Sequence, residues 1–182
     1  MNKLKLLLAI SFSSAVLIAC NQNQSSNNVA VNTESVNVNP AASDVKIVLK
    51  NDTINEAYKN YISLKNALVA SNVGNAQKAA SGLGEALNKI KGCQNTADIA
   101  KQIASSSDLT SQRKDFTPLS ADFIALLKHA DVEEGTIFVQ YCPMANSGKG
   151  GYWMASNEEV RNPYYGDEML NCGEVKEKFS KK

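Results

Sequence analysis

Between Asn51 and Leu126 the apolar residues return every three or four positions, the spacing that gathers them on one face of a helix. After the turn-like Asn51-Asp52-Thr53, a first stripe runs through Ile54, Tyr58, Tyr61, Ile62, Leu64 and Leu68, with Asp52 or Thr53 placed to cap it. Val73, Ala76, Ala80, Leu83, Leu87 and Ile90 make a second stripe, and Gly92 stands where a helix C-cap is expected. Thr96 to Ser105, around Ile99, Ala100 and Ile103, predicts a shorter third helix halted by Ser105-Ser106-Ser107. Asp108 starts a fourth stripe through Leu109, Gln112, Phe116, Leu119, Phe123 and Leu126. Pro118 lies inside it, and a proline has no N–H and crowds the preceding turn, so a kink or break is expected between Phe116 and Ser120. Narrow apolar faces and short connections predict a mainly α protein, an antiparallel bundle of about four helices.

The texture then changes. Thr136-Ile-Phe-Val-Gln-Tyr141 is β-branched and aromatic, and Gly151-Tyr-Trp-Met-Ala155 follows a turn-rich Asn146-Ser-Gly-Lys-Gly-Gly151. These predict a small C-terminal β-hairpin closing on the bundle. Asn162-Pro-Tyr-Tyr-Gly166 reads as a turn, and Asp167 to Leu170 as a single helical turn that delivers Met169 and Cys172. The rest is expected to be an irregular tail, with Lys176, Lys178, Lys181 and Lys182 a solvated helix end or frayed terminus.

The first residues set the compartment. Lys3 and Lys5, the apolar runs Leu6 to Ile10 and Ala15 to Ile18, and Leu17-Ile18-Ala19-Cys20 have the order of a secretory signal: basic, apolar, small residue at the cut. The tetrapeptide resembles a bacterial lipobox, which implies a signal peptide over 1–19, lipidation of Cys20 and anchoring to a membrane without spanning it. The implied location is the periplasmic side of a bacterial outer membrane. The Asn-, Ser- and Val-rich stretch after Cys20 cannot bury a core and is assigned, over 20–50, to a tether. Residues 51–182 are left for one domain. With 19 Lys and Arg against 18 Asp and Glu, the net charge points to neither nucleic acid nor an anionic surface.

Candidate chemistry lies in sulfur. Cys142 and Met144 sit in Gln140-Tyr-Cys-Pro-Met-Ala145, and Met169 and Cys172 in Met169-Leu-Asn-Cys-Gly173. Thiolate and thioether are soft ligands that favour Cu(I) or Ag(I), and thiolates also hold Zn(II), so these four residues form a candidate metal site. The alternative is a Cys142–Cys172 disulfide stapling the tail to the helical body, since disulfides persist in the periplasm. Sequence leaves both open, together with cycling between them. With Cys20 lipidated, three thiols remain, and the odd one is Cys93, read as an incidental half-buried thiol. Met154 and Trp153 read as packing residues of the hairpin.

The run Val-Gln-Tyr-Cys-Pro-Met-Ala (139–145), Gly150 and Trp153, Val-Arg-Asn-Pro-Tyr-Tyr-Gly (160–166), then Met169-Leu and Cys172-Gly173, resembles the C-terminal signature of an uncharacterised bacterial domain family. Gln112-Arg113, Phe116 and Ser120 extend the likeness upstream, over roughly 52–175. That family occurs as short lipoproteins and as an extra domain on periplasmic adaptor subunits of copper and silver efflux pumps. The resemblance therefore implies heavy-metal handling with efflux-pump components as partners. Members often carry histidines in the helical part, whereas His129 is the only one here, so a histidine-containing site in relatives is either reduced to sulfur ligands in this chain or lost. An enzyme with Cys142 as nucleophile and His129 as base is the remaining alternative. It finds no Cys-x-x-Cys, phosphate loop or Ser/His/Asp set, and no reaction is predicted.

Overall fold

The computed structural model describes residues 44–181; the stretch read as a signal peptide, Cys20 and most of the stretch read as a tether lie outside the described residues. Four helices follow one another: α1 (Asp52–Val69), α2 (Val73–Asn88), α3 (Gln94–Ser105) and α4 (Leu109–Leu127). Each packs on the next, and α4 returns against α1 and the sheet. Their buried positions are the apolar stripes of the sequence, with Tyr61, Leu64, Leu68, Leu83, Leu87, Ile103, Phe116 and Phe123 wholly enclosed.

Local chemistry sets the ends. The α1 cap is Asn51, one residue before the expected Asp52 or Thr53, and its side chain accepts the Ile54 N–H at 3.0 Å. Asn72 and Asp108 cap α2 and α4 in the same way. Gly92 is not the C-cap of α2, which ends at Asn88 with Lys89 as cap; Gly92, at φ +89°, turns the chain toward α3.

The break expected at Pro118 does not occur, and α4 is continuous through it. The missing N–H leaves the carbonyl of Lys114 without its helical partner. Lys114 and Pro118 are both exposed, so water can serve that carbonyl.

The sheet part contains β1 (Val48–Leu49) paired with β2 (Val132–Glu134), and a three-stranded antiparallel sheet in the order β4-β3-β5. In the latter, β3 (Thr136–Cys142) is central, with β4 (Gly151–Ala155) and β5 (Glu174–Ser180) at its edges. The hairpin is as expected, but the Lys-rich tail is not a helix end. It is β5, paired with β3 through a register shift at Val139/Gln140. Strand β1 falls inside the stretch assigned to the tether, and Ile47 and Leu49 are core residues.

The outer edge of β4 is closed by two phenols. Tyr61 of α1 accepts the Met154 N–H at 3.1 Å, and the Tyr164 hydroxyl donates to the Tyr152 carbonyl at 2.8 Å. Aromatic contacts continue the junction: Tyr61 stacks on Phe116 at 5.4 Å, Phe116 meets Tyr164 at 5.8 Å, and Trp153 meets Tyr164 edge-on at 6.0 Å. Trp153 and Met154 are fully buried, as packing residues should be.

Candidate functional site

Cys142 is the last residue of β3, opposite Gly151, and is fully buried. Cys172 lies thirty residues later, in the turn after a short 3-10 helix (Gly166–Met169), and is partly exposed. Their sulfurs are 2.7 Å apart. Three backbone and side-chain contacts hold Cys172 there. Its N–H donates to the Met169 carbonyl at 3.0 Å, its carbonyl accepts from Asn162 Nδ2 at 2.9 Å, and the Asn162 N–H donates to Leu170 at 2.8 Å.

Asn162 is the pivot of this loop. Its Oδ1 accepts the Tyr164 N–H at 2.8 Å, and its carbonyl accepts the Gly166 N–H at 3.0 Å. Arg113 of α4 ties the same loop to the bundle: Nε donates to the Pro163 carbonyl, and one terminal nitrogen donates to the Leu68 carbonyl and Ser71 Oγ, each at 3.0 Å. Tyr165 donates to the Met144 carbonyl at 2.6 Å, which joins the loop to the segment after Cys142. Gly173 is pressed between the Trp153 ring and the Tyr141 carbonyl, where an added Cβ would stand 2.9 Å from each.

Two residues before Cys142 on β3, Gln140 is buried and its amide donates to the carbonyls of Asn157, Glu158 and Glu159 at 3.1–3.3 Å. Its Oε1 and the indole N–H of its cross-strand neighbour Trp153 are both buried without a protein partner. Gln112 does similar work in the bundle, donating to Val73, Ile103 and Ser106. The motif residues are thus joints of the fold around the sulfur pair. Sequence reasoning gave Gln140, Asn162 and Arg113 no role; their side chains acquire one only through contacts 17, 10 and 50 residues away.

The neighbouring Cys142 sulfur, then burial, push the Cys172 thiol above its ordinary range, while the Met144 peptide N–H favours its thiolate. That is not an activated nucleophile. His129 is exposed and lines a groove with Leu49, Asn51, Ile54 and Asp131 that contains neither cysteine of the pair. Cys93 stands at the N-cap position of α3, where burial and then Asp122 raise its thiol.

Of the four proposed ligands, only the two cysteines are brought into contact in the described geometry. Met144 is 51% exposed beside them, and Met169 contributes its carbonyl to Cys172. Among the described residues no group of three or more His, Cys, Asp and Glu side chains is placed to hold a metal ion. Two cysteines, with a methionine two residues after the first, are residue types that suit a soft monovalent cation.

Residues 57–135 match the model of a family described as a protein of unknown function (DUF3347). The match runs from within α1 to just past β2, including Gln112, Arg113, Phe116 and Ser120, and stops short of the cysteine pair. No curated protein and no solved structure matches the chain.

Proposed function

We propose that this is an exported, lipid-anchored and non-catalytic domain in which Cys142 and Cys172 close as a disulfide, stapling the Asn162–Gly173 loop over the end of β3. The observation that carries the reading is the 2.7 Å separation of the two sulfurs. Closing to a covalent bond of about 2.05 Å needs a movement of well under an ångström. Two thiolates on one tetrahedral ion, each at about 2.3 Å, stand about 3.8 Å apart, so metal ligation requires the pair to spread. Export through the Leu17-Ile18-Ala19-Cys20 segment puts the pair where such bonds last.

A second reading is soft-metal capture by the reduced pair, in buffering or transfer to an efflux pump. It is favoured by Met144, whose side chain is half exposed two residues after Cys142. Cys142, Cys172 and Met144 would hold Cu(I) or Ag(I), with Met169 or a further ligand completing a Zn(II) site.

Mass spectrometry of the full chain purified without reductant separates the two. A linked Cys142–Cys172 peptide with Cys93 as the only free thiol supports the staple. Three free thiols with about one tightly held Cu(I) per chain replace it with the metal reading. Three free thiols and no metal sink both. A diacylglyceryl mass on Cys20 tests the anchor.

A further inference from the structure

The two sulfurs of the pair differ in access, and this assigns them different roles. Cys142 is fully buried at the end of β3, opposite Gly151, against which the Tyr164 ring and the buried Ala145 pack. Cys172 is partly exposed and stands in a turn flanked by exposed Asn171 and Glu174, beside exposed Pro143 and Met144. Thiol–disulfide exchange needs an incoming thiolate to reach the sulfur it attacks, so access selects between otherwise equivalent atoms.

Resting on the disulfide reading, we propose that Cys172 is the sulfur through which the pair is opened, by an external thiolate, and that Cys142 is the internal sulfur that closes it again. The partner thiolate forms an S–S bond to Cys172 Sγ while the Cys142–Cys172 bond breaks. Cys142 leaves as a thiolate and takes up one proton. A second thiolate then attacks the partner's sulfur in the mixed disulfide, releasing Cys172 as a thiolate that takes up the second proton. The pair gains two electrons and two protons, and two partner thiols become one disulfide. In the reverse direction the Cys142 thiolate, already held beside Cys172, attacks the mixed disulfide and expels the partner.

The attacking thiolate can belong to a small molecule or to a protein dithiol, and both are used as probes. The full chain carrying Cys93→Ser, which removes the half-exposed third thiol, is oxidised and its thiols are counted before any reagent is added. Reduced glutathione or a reduced thioredoxin-type dithiol is then added, the reaction is quenched in acid and the adduct is mapped. The expected adduct is on the Cys172 peptide. A faster reaction per thiolate with the protein dithiol identifies a docked partner, and equal rates a diffusing small thiol. In a second measurement, Cys142→Ser and Cys172→Ser are compared for their rate with oxidised glutathione. The variant that keeps Cys172 should react at least about tenfold faster. An adduct on Cys142, equal rates in the two variants, or a pair that no thiolate opens overturns the proposal. Free thiols at 142 and 172 in the initial count mark instead the failure of the disulfide reading.

Discussion

The Tyr61 hydroxyl accepts the backbone N–H of Met154 at 3.1 Å, so a helix side chain makes the hydrogen bond that another strand would make to β4. The same oxygen is 2.8 Å from Ser120 Oγ. Tyr61→Phe leaves a peptide N–H and a serine hydroxyl unpaired in the core. The expected loss is roughly 1–3 kcal/mol, read as a lower urea midpoint at constant slope. An unchanged midpoint would mean that the two groups find other partners.

Arg113 reaches the Leu68 and Pro163 carbonyls at once, a task for a planar fork rather than a point charge. Arg113→Lys keeps the attraction to Asp167 and Glu168 but loses the fork. It should lose most of the stability lost by Arg113→Ala, about 1–3 kcal/mol, and amides of residues 162–170 should exchange faster. A lysine variant as stable as wild type would show that charge alone holds the loop.

Gly166 and Gly148 both sit at positive φ, +57° and +83°, but only one is crowded. A Cβ on Gly166 would stand 2.7 Å from the Arg113 guanidinium and 2.8 Å from the Val69 carbonyl, while one on Gly148 meets nothing within 4 Å. Gly148→Ala should cost about 1–2 kcal/mol for backbone conformation, and Gly166→Ala a further 1–3 kcal/mol or so for overpacking. Thermal denaturation of both variants checks the order. Equal losses would remove the close approach from the argument.

The disulfide proposed between Cys142 and Cys172 would close a loop of thirty residues. Chain-entropy arithmetic for such a loop gives roughly 3–4 kcal/mol. Reductant should therefore lower the stability of the wild type by about that much, and the Cys142→Ser, Cys172→Ser double variant should not respond to reductant. A wild type equally indifferent would leave no staple to explain.

Lys65 of α1 is buried, and burial above all pulls its ammonium below the ordinary lysine range; Asp44 opposes this, Arg161 adds to it and Glu159 opposes it. With the folded pKa below the unfolded one, the unfolded chain holds the proton more tightly between the two, so stability rises with pH across that interval. The wild type should gain stability relative to Lys65→Met as pH climbs from neutral toward the lysine range. Unfolding at pH 7 and pH 10, or nearby, tests this, and a constant difference between the chains would refute it.

The helical body was legible because its stripes match the helical period and three of the four helices open on an Asn or Asp cap. Strand β5 was not: Glu174-Val-Lys-Glu-Lys-Phe-Ser180 has only Val175 and Phe179 half buried, and edge strands carry charge that hides their period. Lys176 and Lys178 instead lie over the rings of Tyr141 and Phe138, with their stems on the outer face of the sheet. Pro118 misled because its effect depends on whether the freed carbonyl is wet, which periodicity does not state. At the site, residue types suggested sulfur chemistry and the pair, whereas the contact between Cys142 and Cys172 depends on Asn162 and Arg113, whose partners are distant in sequence.

The closed edge of β4 also bears on how the domain behaves in a crowd. A small sheet has two rims on which a foreign chain can add itself as a further strand. Here one rim has its Met154 N–H and Tyr152 carbonyl already engaged by phenols, and the other is lined with Glu174, Lys176, Glu177 and Lys178. Neighbouring copies at high concentration would thus find neither rim of this sheet a ready template for cross-β growth.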